Sequence, residues 1–314
     1  MNYRKLGTTG VKLSVIGLGT NRFGSDAVSG PEVERILDAA VDHGINFIDT
    51  ANIYTGGLSE ETIGKALKGR WGRFVVATKF CMATGDGPND RGASRYHIQN
   101  AVDASLRRLA HDCIDLYYIH RWDPDTPIEE TLETLDDLIR SGKVRYIGAS
   151  ALAAWQMAKS NLLAEMRGWT AFVALQSHYN MLERDVEREV LPYCASEGVG
   201  FVPYYPLAGG FLTGKYKRGN PPPPGSRGET NKNVQQYMTD TGYGIVERLS
   251  TYAADRNRAI NELAQAWLLA RPAVCSVISG ITSVAQLEHN ARAGDWTLTP
   301  HETEEIDTLL KGQP

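Results

Sequence analysis

Four side chains of this 314-residue sequence could together transfer a proton. Each lies at or just after the end of a β-prone segment: Asp49 and Tyr54 after the second, Lys79 after the third and His120 after the fourth. A lysine ammonium beside a phenol favours the phenolate and lowers the tyrosine pKa, and a carboxylate holds the ammonium in place. A tyrosine tuned in this way can donate a proton to a carbonyl oxygen. Taken singly, such residues are more typical of turns, surfaces and structural contacts, so the hypothesis depends on the fold.

Eight short β-rich segments alternate with amphipathic helical segments, which predicts βαβ units around a parallel sheet. The β-rich segments are residues 14–19, 47–49, 74–78, 114–119, 144–148, 172–175, 199–202 and 274–278. Helical periodicity follows Pro31 as far as Gly44 and recurs at residues 59–68, 95–109, 128–140, 153–164, 185–196, 260–270 and 283–293. Eight such units favour an α/β protein with one (β/α)8 barrel, a TIM barrel, over an open doubly wound sheet. Because sites in these barrels lie at the C-terminal ends of the strands, the four side chains are expected to converge.

Three segments fall outside the repeat. Residues 3–15 contain the turn Thr8-Thr9-Gly10 and predict an N-terminal hairpin that closes one end of the barrel. Residues 208–244, with four consecutive prolines at 221–224, predict a long lid after the seventh strand. A C-terminal helix is expected at about residues 301–311, and the whole chain, 1–314, is interpreted as one domain.

Composition narrows the class of protein. With 42% apolar and 22% charged residues, the chain can bury a large core. A net charge of −4 and no basic cluster make nucleic acid an unlikely partner. No segment predicts a signal peptide or a bilayer span, so we expect a soluble, unprocessed, cytoplasmic protein. The proton-transfer chemistry of the four side chains indicates a small-molecule substrate. The oligomeric state stays open.

The cysteines and histidines point to neither a disulfide framework nor a metal site. The four cysteines, at 81, 113, 194 and 275, form no CxxC motif and are expected to be reduced. Cys81, two residues after Lys79, is either a redox-sensitive thiol at the mouth of the site or, the favoured interpretation, a buried one. The seven histidines show no HxxxH or HExxH spacing, which disfavours metal catalysis.

Nearly the whole chain resembles the aldo-keto reductases. The matching motifs are residues 17–20, 46–51 with Tyr54, 77–79, 115–120, 205–210 and 280–290. The resemblance implies an NAD(P)H-dependent carbonyl reductase with the tetrad Asp49, Tyr54, Lys79 and His120, in which Tyr54 is the general acid.

Two other interpretations remain open. The chain is also similar to the potassium-channel β-subunits at residues 91–94, 124–127 and 214–216, which would make it a cofactor-binding partner subunit. His120 argues for the enzyme, because those subunits carry asparagine at the matching position. A Schiff-base aldolase with Lys79 as the nucleophile is a third, less favoured hypothesis.

The cofactor contacts follow from the resemblance and not from a Rossmann motif, because Arg22 stands where the third glycine of that motif belongs. The implied cofactor-binding residues are Thr20, Asp49, Ser150, Gln176, Tyr204, Tyr205, Pro206, Leu207, Ala208, Gly209, Lys215, Arg227, Gly280, Thr282, Gln286 and Asn290. Tyr204 is expected to stack on the nicotinamide, and Gln176 with Ser150 to hold its carboxamide.

The resemblance also implies which side chains contact the cofactor phosphates, and the aromatic residues themselves suggest a substrate pocket. Lys215 and Arg227 are expected to contact phosphates, with Arg227 the main candidate for the 2′-phosphate. NADPH is therefore favoured over NADH. Phe23, Phe80 and Trp122 are expected to wall an aromatic substrate pocket.

Overall fold

The computed structural model describes residues 1–311, and the chain opens with a hairpin of two antiparallel strands, β1 (Tyr3–Lys5) and β2 (Lys12–Ser14). Leu6 and Leu13 from this hairpin are fully buried in a cluster with side chains from the inside of the barrel. The Arg4 guanidinium donates to the carbonyls of Leu269 and Val274, each at 2.7 Å. The hairpin therefore closes one end of the barrel, as predicted.

Eight parallel strands follow and form the barrel. They are β3 (Ile16–Gly19), β4 (Phe47–Asp49), β5 (Val75–Phe80), β6 (Ile114–Ile119), β7 (Val144–Ser150), β8 (Ala174–His178), β9 (Gly200–Tyr204) and β10 (Val277–Gly280). Consecutive strands are neighbours from β3 to β9, and β10 pairs with β3. A bridge from Phe201 to Val274 joins β9 to the segment before β10 and completes the ring. The predicted (β/α)8 barrel is confirmed.

The helices surround this ring. The first six, which follow β3 to β8 in turn, are α1 (Gly30–Asp42), α2 (Leu58–Ala66), α3 (Arg95–Leu109), α4 (Ile128–Arg140), α5 (Ala154–Arg167) and α6 (Val190–Glu197). After β9 come α7 (Arg227–Thr230), α8 (Lys232–Gln235), α9 (Asp240–Ala254) and α10 (Ile260–Leu269), and after β10 come α11 (Val284–Ala293) and α12 (Pro300–Lys311). Short 3₁₀ turns occur at residues 54–57, 71–73, 185–187 and 208–213.

The structure corrects several predicted boundaries. The strand predicted at 172–175 runs from Ala174 to His178, and the helix predicted at 153–164 runs from Ala154 to Arg167. Residues 185–187 form a separate 3₁₀ turn, so the helix expected at 185–196 begins at Val190. The last strand begins at Val277, three residues later than expected. The segment 208–244 was predicted as lid throughout, but its last residues belong to α9. Two glycines in the first turns of α9 lower its helix propensity and hid it from the sequence pattern. One of them, Gly242, is required, because a Cβ there would lie 2.0 Å from the carbonyl oxygen of Tyr237.

Two layers of apolar side chains hold the barrel and its helices together. The smaller cluster fills the inside of the barrel and includes Phe47, Ala77, Tyr118 and Val202. The larger cluster lies between the strands and the helices. Because successive side chains of a strand alternate between these two layers, each inward residue predicts the direction of the residue two positions later.

No helix within residues 1–311 has both the length and the apolar composition needed to cross a bilayer.

Candidate active site

The alternation along the strands brings the site residues to one end of the barrel. Asp49 lies two residues after the inward Phe47, and Lys79 lies two residues after Ala77. By the same period of two, His120 follows Tyr118 at the end of β6. These side chains therefore stand one layer above the apolar filling of the barrel, at the C-terminal ends of the strands.

Lys79 is the centre of the site. Its ammonium is completely buried and lies 2.5 Å from Asp49 Oδ1, 2.8 Å from the carbonyl oxygen of Thr50 and 3.4 Å from the Tyr54 hydroxyl. These three contacts match the three donors of an ammonium group. The structure thus brings together three of the four residues that the sequence predicted to act together.

Burial and neighbouring charges have opposite effects on the pKa values of Lys79 and Tyr54. Burial acts to lower the pKa of Lys79, but the Asp49 carboxylate and the Tyr54 oxygen outweigh it and raise that pKa. Burial raises the pKa of Tyr54, and the opposing effect of Lys79 is smaller. The sequence-based expectation of a lowered tyrosine pKa is therefore corrected, because it considered the cation and not the burial. Tyr54 holds its proton at neutral pH.

His120 completes the set as a neutral ring. Its centroid lies 6.1 Å from that of Tyr54 in an edge-on arrangement with an interplanar angle of 76°. Burial, Lys79 and Arg121 together lower the pKa of His120 to about 3. Its Nδ1 is buried and has no hydrogen-bond partner among the described residues. An uncharged imidazole at this place can orient a carbonyl by a hydrogen bond without repelling the Lys79 ammonium.

A hydroxyl network supports the Asp49 side of the site. Thr20 is completely buried, and its Oγ1 donates to the carbonyl oxygen of Asp49 at 2.8 Å. Ser59 Oγ lies 3.1 Å from Thr20 Oγ1 and 2.8 Å from Thr50 Oγ1. The Thr20 side chain therefore faces this network, where the resemblance implied a contact with the cofactor.

A buried carboxylate supports the Lys79 side. Glu60 of α2 is fully buried, accepts from Thr78 Oγ1 at 2.5 Å and accepts from Arg108 Nε at 2.6 Å. Thr78 precedes Lys79, so its outward direction fixes the inward direction of Lys79. Ser59 and Glu60 were missed from sequence. Their polar side chains at the start of an amphipathic helix look like ordinary capping or exposed residues.

The residues expected to hold a nicotinamide carboxamide lie side by side. Ser150 and Gln176 are paired across β7 and β8, and each is 2% exposed. Gln176 also makes a contact that was not predicted, because its Nε2 donates to Asp49 Oδ2 at 2.8 Å. Tyr204 ends β9 and stacks on the His178 ring, with 5.4 Å between centroids and an interplanar angle of 7°.

The loop after β9 adopts left-handed backbone conformations at several positions. Residues 205–209, with Pro206 and Leu207 at their centre, lead into the 3₁₀ turn, and positive φ angles occur at Tyr205, Ala208 and Gly209. A Cβ on Gly209 would lie 2.5 Å from Val234 Cγ2 of α8. The glycine therefore lets the lid pack directly onto the loop.

The lid carries two cations towards this end of the barrel. Arg227 is half-buried, its guanidinium lies 5.9 Å from the centre of the Tyr205 ring, and its Nη2 is 3.8 Å from the position of a Cβ built on Gly280. Lys215 is exposed, and its Nζ lies 3.2 Å from a Cβ built on Gly210. Within residues 1–311, no carboxylate forms an ion pair with either cation. Both remain available to an anion.

The loop after β10 leads into the N-terminus of α11, the end of a helix that attracts anions. Thr282 N donates to Gln286 Oε1 at 3.0 Å, so these two residues stabilise each other. Asn290 is 4% exposed and accepts from Gln265 Nε2 at 3.1 Å through its Oδ1. Asn290, which the resemblance implied as a cofactor contact, therefore already forms a hydrogen bond within the protein.

The three predicted pocket walls are not brought together. Phe80 follows the inward Lys79, so it points outward and packs 4.9 Å from the Tyr117 ring in the outer core. Phe23 is also fully buried in the outer core. Trp122 is half-buried and contacts the Trp155 ring edge-on at 5.8 Å. Only Trp122 of the three has surface to offer a ligand.

Two further side chains, Asn52 and Cys81, lie close to the tetrad in the sequence. Asn52 was not predicted, yet its amide is buried two residues before Tyr54, and neither polar atom has a partner among the described residues. Burial raises the pKa of Cys81 to about 11, and its Sγ lies 3.5 Å from the carbonyl oxygen of Arg121. A thiol with a raised pKa is a poor nucleophile, which supports the favoured interpretation of Cys81 as a buried thiol.

Within residues 1–311 no three histidine, cysteine, aspartate or glutamate side chains cluster in a way that could hold a metal ion.

A barrel with a buried Asp–Lys–Tyr chain at the C-terminal ends of its strands is typical of enzymes that move a proton at a bound small molecule. A family model described as the aldo/keto reductase family matches residues 15–311. The chain belongs to the aldo/keto reductase family. This membership supports an oxidoreductase, and the family generally depends on NAD(P)H.

Several curated proteins are similar over almost their full length. An aldo-keto reductase of Fusarium vanettenii is 35% identical, with all of this chain and 92% of that protein covered. A probable voltage-gated potassium channel subunit beta of Arabidopsis thaliana is also 35% identical, covering all of this chain and 98% of that protein. An uncharacterized oxidoreductase of Bacillus subtilis is 38% identical over 99% of this chain and 97% of its own length. Both the enzymes and the channel subunits that the sequence resembled are therefore among its relatives.

Proposed function

We propose that this protein reduces an aldehyde or a ketone to an alcohol, with NADPH as the hydride donor and Tyr54 as the general acid. One observation carries the proposal: the Lys79 ammonium contacts both the Asp49 carboxylate and the Tyr54 hydroxyl, at 2.5 Å and 3.4 Å. This contact links a protonated phenol to a buried cation, at the end of the barrel where substrates bind.

The reaction needs a hydride at the carbonyl carbon and a proton at the carbonyl oxygen. The reduced nicotinamide supplies the hydride when it is bound, and Tyr54 supplies the proton. Burial keeps this proton on Tyr54 until a substrate oxygen accepts it. After the transfer, the Lys79 ammonium stabilises the phenolate that remains. Neutral His120 orients the same oxygen through a hydrogen bond.

The residues around the tetrad suit a dinucleotide. Tyr204 provides a flat aromatic surface, and Ser150 and Gln176 lie together on neighbouring strands, where they would hold a carboxamide. Arg227 and Lys215 bring positive charge to the lid, where phosphates would lie under this proposal. Arg227 is assigned to the 2′-phosphate because a guanidinium binds a phosphate through two parallel hydrogen bonds. NADPH is therefore favoured, and NADH is expected to bind more weakly.

The proposal includes the setting in which the protein acts. All four cysteines are free thiols, which suits the reducing conditions of the cytoplasm. Its partner is a small carbonyl compound. Trp122, which is half-buried, is the aromatic side chain that would contact this substrate.

A second candidate is a cofactor-binding subunit of an ion channel, which is favoured by the similarity to the Arabidopsis subunit over the whole chain. The full tetrad, with His120 beside Tyr54, argues for catalysis instead. A Schiff-base aldolase is disfavoured, because the raised pKa of Lys79 keeps its nitrogen as an ammonium without a lone pair.

A panel of aldehydes and ketones tests the proposal, with oxidation of NADPH followed by absorbance and NADH assayed in parallel. We expect turnover with at least one carbonyl class, and the loss of that turnover in Tyr54→Phe. Tight cofactor binding without turnover of any compound would favour the channel-subunit candidate. Borohydride trapping of a carbonyl compound on Lys79 would favour the aldolase.

A further inference from the structure

Gln176 reaches Asp49 from the opposite side of the barrel. Four strand positions separate β8 from β4 in the eight-membered ring, so the hydrogen bond from Gln176 Nε2 to Asp49 Oδ2 spans the barrel. Both side chains are 2% exposed, and the bond is 2.8 Å long. The other Asp49 oxygen accepts from Lys79 at 2.5 Å. The carboxylate is thus held by two donors that come from different strands.

We propose that Gln176 is a positioning residue for the proton donor. It fixes the Asp49 carboxylate, which fixes the Lys79 ammonium 3.4 Å from the Tyr54 hydroxyl. The kinetic part of this inference rests on the proposed function, whereas the contact between Gln176 and Asp49 can be tested in the cofactor-free protein.

The same contact decides how Gln176 can meet a ligand. A carboxylate only accepts hydrogen bonds, so the amide must turn an N–H group towards Asp49. Its carbonyl Oε1 is then the atom that faces away from Asp49. A nicotinamide carboxamide bound beside Gln176 would therefore meet a hydrogen-bond acceptor for its NH₂ group.

The substitution Gln176→Glu distinguishes a positioning residue from a residue that only binds cofactor. A glutamate can still accept from a carboxamide NH₂, so cofactor binding alone predicts little change. Beside Asp49, however, the new carboxyl group can form a hydrogen bond only while one of the two carboxyl groups holds a proton. At low pH the protonated glutamate donates to Asp49 and replaces the amide. At high pH the two negative charges repel each other and the contact is lost.

The kinetic experiment compares wild type, the isosteric Gln176→Glu and the apolar Gln176→Leu at saturating NADPH between pH 5.5 and 8.5. We expect kcat of Gln176→Leu to fall about tenfold at every pH, the order expected for a lost hydrogen bond to a charged group. We expect Gln176→Glu to show the same loss at pH 8.5 and to recover most of the wild-type kcat at pH 5.5. The other titratable groups that face Asp49, Lys79 from β5, Tyr54 from the loop after β4 and Tyr118 from β6, are unchanged in these variants.

A second readout does not need activity. The Asp49 carboxyl is titrated by ¹³C NMR in the cofactor-free wild type and in both variants. The Gln176 hydrogen bond opposes the rise that burial causes in the Asp49 pKa, so its loss in Gln176→Leu must raise that pKa further. Circular dichroism confirms that the variants are folded.

Ser150→Ala is the matched control, because Ser150 pairs with Gln176 across the strands but makes no hydrogen bond to Asp49 within residues 1–311. It should weaken NADPH binding and leave the Asp49 titration as in wild type. Wild-type kcat for Gln176→Glu at every pH would overturn the proposal, as would an Asp49 titration that is the same in all variants. If wild type reduces no carbonyl compound, the proposed function fails, and the NMR titration still decides the role of Gln176.

Discussion

Replacing Lys79 by methionine should destabilise the protein mainly by leaving a charge unpaired. The Asp49 carboxylate is 2% exposed and loses its contact at 2.5 Å with the ammonium. Removal of one partner of a buried ion pair costs about 3–5 kcal/mol, because the other charge remains in a medium of low dielectric constant. We therefore expect the free energy of unfolding of Lys79→Met to fall by about 3–5 kcal/mol at pH 7.

The double variant Asp49→Asn/Lys79→Met shows whether charge is the cause. A buried pair replaced by neutral groups of similar volume is often tolerated. The double variant should therefore recover most of the loss, although it removes more of the site. Both variants should be inactive in carbonyl reduction, because neither can stabilise a Tyr54 phenolate.

The pH dependence of stability has a definite sign. Without Lys79, burial raises the folded-state pKa of Asp49 well above its unfolded value near 4. The variant is then most stable below the unfolded pKa and loses stability as the pH rises towards the folded pKa. The slope is about 1.4 kcal/mol per pH unit for one proton. Urea unfolding of wild type and both variants, followed by circular dichroism at pH 5, 6 and 7, measures this. Equal losses in the single and double variants, with no pH dependence, would refute the charge explanation.

Three further outcomes test the site. Tyr54→Phe should lower the rate of carbonyl reduction about 10²- to 10⁴-fold, because it removes the donated proton, and should leave NADPH binding nearly unchanged, because it keeps the ring. Steady-state rates and a fluorescence titration with NADPH measure the two effects. Turnover near that of wild type would contradict the prediction. Because the pKa of His120 is lowered to about 3, the plot of reduction rate against pH should show no inflection near pH 6.5. An inflection there that disappears in His120→Gln would contradict this prediction. Arg227→Ala should weaken the binding of NADPH about tenfold to a hundredfold and that of NADH less, whereas the control Lys215→Ala should weaken the binding of both cofactors equally. Equal losses of affinity in Arg227→Ala would assign Arg227 to a phosphate that both cofactors share.

The barrel and the convergence of the tetrad could be predicted because both depend on short-range regularities. The period of two along β4 and β5 places Asp49 and Lys79 on the inner face, and parallel strands bring their ends together. The same rule explains the failure of one pocket prediction. Phe80 is adjacent to Lys79, so it must point to the outer layer, and attention to aromatic character alone missed this.

Long-range polar contacts could not be predicted in this way. Nothing in the local sequence indicates that Gln176 would donate to Asp49, 127 positions away. In the sequence, Glu60 looks like an exposed acidic residue near a helix N-terminus. In the structure it is fully buried, where it accepts a hydrogen bond from Thr78 and forms an ion pair with Arg108. Such contacts depend on which strands face each other across the closed barrel. The periodicity of neighbouring residues in the sequence does not contain this information.

Under the proposed function, the opposite effects of burial and of Lys79 on the pKa of Tyr54 bear on different stages of the proton transfer. Burial raises the pKa of the phenol and so favours the state before transfer, whereas the ammonium favours the phenolate that exists after it. Lys79 therefore acts mainly on the state in which Tyr54 has already given up its proton. A neutral tyrosine gains little from a cation 3.4 Å away, but a developing negative charge in the same buried place gains a great deal. By holding the ammonium in position, Asp49 would therefore influence the rate of the proposed reaction without touching the substrate.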